Sequence, residues 1–363
     1  MPKDIKIPPA KVARIGERLR EYLYRLHRRS APAPVAMLEM IMAAWVSQAI
    51  QAAAELGIAD ALADHPLPLD ELANRVGADP DALRRLMRAL ISRGIFRQRR
   101  GGRYELTALG ETLRSDAPFS MNAFARFVGS PQHREHWSYL VESVRTGKPI
   151  IPHLRGKDGF DYLRDEPELA KGFNDAMTDL AGLAAHAFVP GYNFGPYRTI
   201  VDVGGGHGAL LSTILAATPN ARGVLYDLPE VVAGAPPVLS APGIKDRVRV
   251  EGGSFFDGVP SGGDAYVLKN VIHDWPDEQA VAILRNVRAA AGADSTVLLV
   301  EMVLPEHDRD FAGKWSDVEM LLDANGRERD AAEYRDLLRQ AGFRMNRIVQ
   351  TASPYSVVEA TPA

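Results

Sequence analysis

Arg198-Thr-Ile-Val-Asp-Val-Gly204-Gly-Gly-His-Gly208 is a short, β-branched, apolar run that ends abruptly in glycines, and Ala209 to Ala217 directly after it reads as a helix. Strand, glycine turn and helix in that order present free backbone N–H groups at a helix start, beside glycines that let a ligand approach closely. The turn is not G-x-x-x-x-G-K-S/T, so a P-loop is excluded. Counted from Gly206, the dinucleotide fingerprint fails at Leu211. Counted from Gly204 it ends on Ala209 and fits the looser form, so NAD or FAD stays open here.

Outward from that turn, strands and helices alternate. Arg222–Tyr226, Arg247–Val250, Ala265–Leu268 and Ser295–Val300 read as strands, Asp277–Ala290 and Ala331–Ala341 as helices, and Phe343–Gln350 with Pro354–Ala360 as a closing hairpin. The pattern predicts an α/β, doubly wound, mainly parallel sheet with ligands bound beyond the carboxyl ends of its strands. Asp227 ends the second strand about 20 residues after the glycines, where a carboxylate accepts both hydroxyls of a ribose. A nucleoside-containing ligand follows, and S-adenosylmethionine and a dinucleotide both fit. His273, in Asn270-Val-Ile-His-Asp-Trp275, follows the fourth strand at the open end of the sheet. Glu301 ends the fifth strand. Glu328 sits in Asn325-Gly-Arg-Glu-Arg329, where ordinary surface ion pairing is the competing reading.

The first half is helical. Residues 1–34 are basic (Lys3, Lys6, Lys11, Arg14, Arg18, Arg20, Arg25, Arg28, Arg29), with Val12, Ile15, Leu19, Tyr22, Leu23 and Leu26 on one helical face. Met37 to Ala63 is helical and so apolar that it needs a cover, which a homodimer supplies; Glu39, Ser47, Gln48 and Gln51 argue against a membrane span. Leu67 to Leu109 reads as a winged helix with a hairpin around Gly101-Gly102. Arg84, Arg85, Arg88, Arg93, Arg97, Arg99, Arg100 and Arg103 make this block basic, so a DNA-binding regulator competes with a dimerisation module.

Composition narrows the classes. The chain has 363 residues, 46% hydrophobic and 25% charged, an ordinary globular balance that suggests two domains. Lys+Arg 43 against Asp+Glu 46 gives −3, no bulk attraction for nucleic acid. The absence of cysteine removes disulfides, thiolate nucleophiles and cysteine-ligated metals. No secretory signal is read, so a soluble cytoplasmic protein is expected.

Taken together, Val201-Asp-Val-Gly-Gly-Gly206, Tyr226-Asp-Leu-Pro229, Gly253-Ser-Phe-Phe-Asp257, Leu268-Lys-Asn-Val-Ile-His-Asp-Trp275 and Gly326-Arg-Glu-Arg329 resemble the motifs of S-adenosylmethionine-dependent O-methyltransferases of the caffeate and hydroxyindole type. That family includes bacterial enzymes that decorate polyketides and other aromatic metabolites, and the resemblance spans about residues 35–363. It implies a helical, winged-helix dimerisation and substrate-pocket domain over residues 1–190 and a Rossmann-like methyltransferase domain over 191–363. It further implies S-adenosylmethionine as cofactor, with Gly204, Asp227, Leu228, Ser254, Phe255 and Lys269 binding it. Ser254 stands where the family usually has Asp, and its hydroxyl bonds an adenine amino group more weakly. His273 matches the general base, and Glu301 and Glu328 the carboxylates that orient it. Met177, Asp274 and Met320 match positions near a small aromatic hydroxyl acceptor. The resemblance implies a homodimer and neither a metal, a nucleic acid nor a membrane as partner. Four rivals carry less of the sequence. A catalytically silent dimeric relative leaves the retention of both glycine loop and base unexplained. A regulator leaves His273 unexplained, and a nicotinamide-dependent oxidoreductase leaves the blocks after the third and fourth strands unexplained. A family member performing decarboxylation or hydroxylation tends to lack the base.

Overall fold

The computed structural model describes residues 8–323 and 325–363. Lys3 and Lys6 of the basic N-terminal run lie outside them. Helices of eight or more residues are numbered here. α1 (Ala10–Arg29) has its apolar residues Val12, Ile15, Leu19, Leu23 and Leu26 all exposed. The chain forms two compact units. Tyr22–Glu135 and Glu166–Leu180 make the first; His136–Asp165, Ala181–Ala363 and α1 as far as Glu21 make the second.

In the first unit, α2 (Ala33–Glu55) is apolar around most of its girth, yet only Ala53 and Ala54 are buried. Gly57, at φ +66°, interrupts the helix expected to continue to Ala63, and a short turn Ile58–Ala61 follows. By length and composition α2 could cross a membrane, so its polar interruptions do not by themselves exclude a span. α3 (Leu69–Val76) and α4 (Pro80–Ser92) precede a small antiparallel hairpin, β1 (Phe96–Gln98) and β2 (Tyr104–Leu106). Asp79 caps α4 by accepting from Ala82 N at 2.8 Å. Leu67, Leu72, Leu83, Met87, Leu90 and Phe96 close around Ile58 as this unit's core. α5 (Pro131–Ser138) and α6 (Pro167–Phe188) begin in this unit, and their last residues, from His136 and Ala181, are grouped with the second.

The second unit is built on a seven-stranded sheet ordered β5-β4-β3-β6-β7-β9-β8. Its strands are β3 (Thr199–Val203), β4 (Arg222–Asp227), β5 (Val248–Gly252), β6 (Ala265–Lys269), β7 (Thr296–Glu301), β8 (Phe343–Gln350) and β9 (Ser356–Pro362). The first five run parallel, and β9 pairs antiparallel with both β7 and β8. The strands alternate their faces. Ile200 and Leu298 pack with Leu211, Ile214 and Leu215 of α7 (Ala209–Ala217). Val201 and Leu299 pack with Ile283 and Leu284 of α8 (Asp277–Ala290) and with Tyr334 and Leu337 of α10 (Ala331–Gln340). α9 (Ala312–Asp323) lies between β7 and α10 in the chain. Burying each such aliphatic side chain contributes roughly 1.5–3 kcal/mol, so both layers hold the strand ends in place. β3 lies between β4 and β6, where the winding reverses, the switch point at which such sheets bind ligands.

Candidate active site

At the carboxyl end of β3, Gly204 has φ +68°, and a Cβ there would meet Val271 Cγ2 at 2.7 Å. Left-handed backbone and close approach together favour glycine there. Asp227, at the tip of β4, accepts Gly206 N through Oδ2 at 2.8 Å and Leu228 N through Oδ1 at 2.7 Å. Each oxygen keeps a second lone pair for another donor. Asp227 thus also fastens the glycine loop. Burial raises its pKa above the usual carboxylate range. Asp202, which the sequence reading passed over, is the last but one residue of β3 and is 1% exposed, with Oδ2 unpartnered. Burial, with Asp227 adding to it, pushes Asp202 up to about 7. Its signal was a lone acid among apolar strand residues.

Lys269 ends β6, and its Nζ lies 4.8 Å from the Tyr355 ring centroid. Ser254 Oγ accepts from Phe256 N at 3.2 Å, so its hydroxyl already serves the local turn. Phe255 approaches the glycine loop, with its Cε1 3.6 Å from the place a Gly204 Cβ would take. Trp275 meets Phe256 edge-on at 4.7 Å and stacks with Phe160 at 5.5 Å.

His273 sits in a 3-10 turn, Ile272–Asp274, and is 6% exposed. Its Nδ1 lies 2.8 Å from Glu328 Oε1, and its Nε2 lies 3.4 Å from Asp274 Oδ1. Glu328 is held in turn. Ser316 Oγ of α9 donates to the same Oε1 at 2.7 Å, and Asp317 Oδ1 accepts Glu328 N at 2.9 Å. Glu301 behaves differently from the expected role. It is fully buried and does not hydrogen-bond the ring; its Oε1 accepts Ile272 N at 3.0 Å and so fixes the turn. The imidazole feels burial, which pulls its pKa down, but Asp274, Glu328 and Glu301 outweigh it and raise the group to about 10. Burial lifts Asp274 to about 6 and Glu301 to about 7. His273, Asp274, Glu301 and Glu328 therefore form one charge-coupled cluster at the ends of β6 and β7.

Met320 lies half-buried on α9 in the same unit, and Met177 lies half-buried on α6 in the first unit. Ser316, Asp277 and Arg329 were not singled out in the sequence. Arg327 and Arg329 flank Glu328, for which surface ion pairing was the competing reading. Arg327 does pair with exposed Glu333, but Arg329 is 1% exposed.

Residues 137–344 match the O-methyltransferase domain, and residues 38–116 match the O-methyltransferase dimerisation domain. The second match takes in most of α2. A phenazine O-methyltransferase of Lysobacter antibioticus is 41% identical over 92% of this chain and 97% of its own. Human N-acetylserotonin methyltransferase, solved with S-adenosylmethionine, superposes with a TM-score of 0.85 at 25% identity, covering 92% of this chain and 98% of that one. An O-methyltransferase from neocarzinostatin biosynthesis, solved with S-adenosylmethionine and 2-hydroxy-5-methyl naphthoic acid, gives 0.72 at 34% identity over 88% and 96%. Motif order, sheet topology and both domain matches agree: this chain belongs to the O-methyltransferase family.

Proposed function

We propose that the protein transfers a methyl group from S-adenosylmethionine to a hydroxyl of a small aromatic metabolite, with His273 as general base. The observation that carries this is the buried His273–Glu328 hydrogen bond at the strand end beside the glycine loop. The loop fits the cofactor. At Gly204 a Cβ would crowd Val271, Asp227 has spare acceptor capacity, and the buried Asp202 Oδ2 lacks a partner. Gly204, Asp227, Leu228, Ser254, Phe255 and Lys269 would hold it. When bound, S-adenosylmethionine supplies a methyl group already activated as a sulfonium.

The chain's own work is then positioning and proton removal. A phenol has a pKa of about 10 and keeps its proton at neutral pH. Glu328 takes the hydrogen of His273 Nδ1, which fixes the tautomer with a lone pair on Nε2. Nε2 accepts the phenolic proton as the oxygen attacks, and the three nearby carboxylates stabilise the imidazolium that forms. Glu301 acts through the Ile272 amide. Asp274, Met177 and Met320 are assigned to the acceptor.

The exposed apolar face of α2, within the dimerisation-domain match, supports a homodimer. The proposed division gives dimerisation and acceptor contacts to residues 1–190 and cofactor binding to 191–363, although residues 136–165 and 181–190 pack with the second unit. The net charge of −3 supports a protein without a nucleic acid partner, and the assignment as a soluble cytoplasmic enzyme without a membrane partner belongs to the same proposal. The deciding experiment incubates the protein with methyl-labelled S-adenosylmethionine and a panel of phenols and reads product masses. A labelled methyl ether supports the proposal. Unlabelled product lacking a carboxyl group, or hydride transfer from NADH, overturns it.

A further inference from the structure

We propose that Arg329 is a positioning residue for the proton-abstracting turn, its buried guanidinium clamping the main chain on both sides of His273. The proposal rests on the reading of His273 as the base. The five N–H groups of Arg329 all have acceptors. Nη1 donates to Ile272 O at 2.9 Å and to Arg327 O at 3.3 Å. Nη2 donates to Trp275 O at 2.7 Å and to Asp277 Oδ1 at 2.8 Å, and Nε donates to the same Oδ1 at 3.0 Å. The two carbonyls flank His273, and Asp277 opens α8. One planar fork thus ties the entrance and exit of the turn to the helix that follows.

Neighbouring residues close the same seam. Arg327 N donates to His273 O at 2.8 Å, and a Cβ on Gly326 would stand 2.0 Å from that oxygen, so the two main chains lie flush. Glu328, between the two arginines, takes the ring itself. The run from Gly326 to Arg329 therefore grips His273 by its backbone and its imidazole together. A guanidinium is suited to this and an ammonium is not, because only a rigid fork reaches two carbonyls and a carboxylate at once. Burying a cation at 1% exposure is costly without full pairing, and four of its five hydrogen bonds go to the turn segment or to the start of α8.

The test compares Arg329→Lys and Asp277→Asn with the parent chain. Asp277 is 59% exposed, so its variant keeps the fold while loosening the fork. Three readings are taken from each: kcat and KM for S-adenosylmethionine, thermal midpoint, and the titration of the His273 ring by NMR. We expect kcat to fall roughly 10–100-fold in Arg329→Lys, the scale for small misplacements of a reacting group, and less in Asp277→Asn. KM should stay within about threefold and the ring should titrate lower, as its alignment with Glu328 and Asp274 loosens. A merely structural arginine would lower the thermal midpoint and leave both kcat and the ring's titration as in the parent. That result overturns the proposal, and Asp277→Asn alone decides it should Arg329→Lys fail to fold. Parent-like turnover in His273→Gln would instead overturn the base assignment on which the proposal stands.

Discussion

Glu328 Oε1 accepts two hydrogen bonds at once, from His273 Nδ1 at 2.8 Å and from Ser316 Oγ at 2.7 Å. A carboxylate oxygen held from both sides cannot swing away from the imidazole without breaking a second bond. Ser316 belongs to α9, so the orientation of the ring depends on a helix that the glycine and His-Asp-Trp motifs do not include. The ring is fixed by a sequence-distant hydroxyl as much as by its neighbours.

Replacing His273 with Gln should lower methyl transfer to a phenol by roughly 10²-fold or more, the usual scale for losing a general base. S-adenosylmethionine binding, measured by calorimetry, should persist, because the residues assigned to it are unchanged. Part of the loss should return above pH 9, where the phenol ionises unaided.

The pH profile follows from the sign of the shift at His273. Its pKa is raised to about 10, so the neutral, proton-accepting ring gains population as pH rises beyond neutrality. The single-turnover rate should therefore climb between about pH 7 and 10 instead of levelling off near the ordinary imidazole value of about 6.5. Glu328→Gln removes one of the carboxylates that raise this pKa, so its rising limb should move to lower pH while its plateau drops. A limb unmoved by Glu328→Gln would contradict the coupling.

Asp227→Ala should weaken S-adenosylmethionine binding at least tenfold by calorimetry. The change removes the assigned ribose acceptor and frees the Gly206 and Leu228 amides that it holds. An affinity equal to the parent's would remove Asp227 from the site.

His273, Glu301 and Glu328 offer atoms that all lie within 4.8 Å of one another, a spacing that a divalent cation could use. In the proposed chemistry Glu328 instead accepts the Nδ1 hydrogen of His273. Dialysis against EDTA should leave turnover unchanged, whereas loss of activity restored by a divalent metal would reassign the cluster.

Ile41→Glu should convert the proposed dimer to monomer in light scattering at micromolar concentration. Ile41 is 63% exposed and Trp45 69% on an apolar helix, and a buried, unpaired carboxylate in their interface would be costly. A parent chain that is already monomeric would remove the dimer.

The sheet was legible because its signals are local. β-Branched runs end at turn residues, so helix Ala209–Ala217 emerged with its observed bounds and most strands within a residue or two. Asp227 and His273 could be found because each stands at a strand tip. Glu301 also stands at one, but its bond to the Ile272 amide, in place of the ring, is a tertiary fact without a sequence signature. Arg329 shows the limit most clearly. Arg-Glu-Arg reads as solvated charge, and only the docking of this loop against the 272–277 segment turns one arginine inward and leaves the other at the surface. The break at Gly57 was obscured by the continuing apolar pattern on both sides of it.

Strand β9 is made after β8, yet in the finished sheet it lies between β8 and β7. During synthesis, β7 therefore presents an open edge, and every residue of β7 is one that the native fold buries. β8 cannot cover that edge, because its own partner is β9. At elongation rates of about 5–20 residues per second, the edge waits some seconds for the strand that closes it. A nascent chain of this protein is thus most prone to aggregate just before its last hairpin is complete, and chaperone dependence in expression should concentrate in that interval.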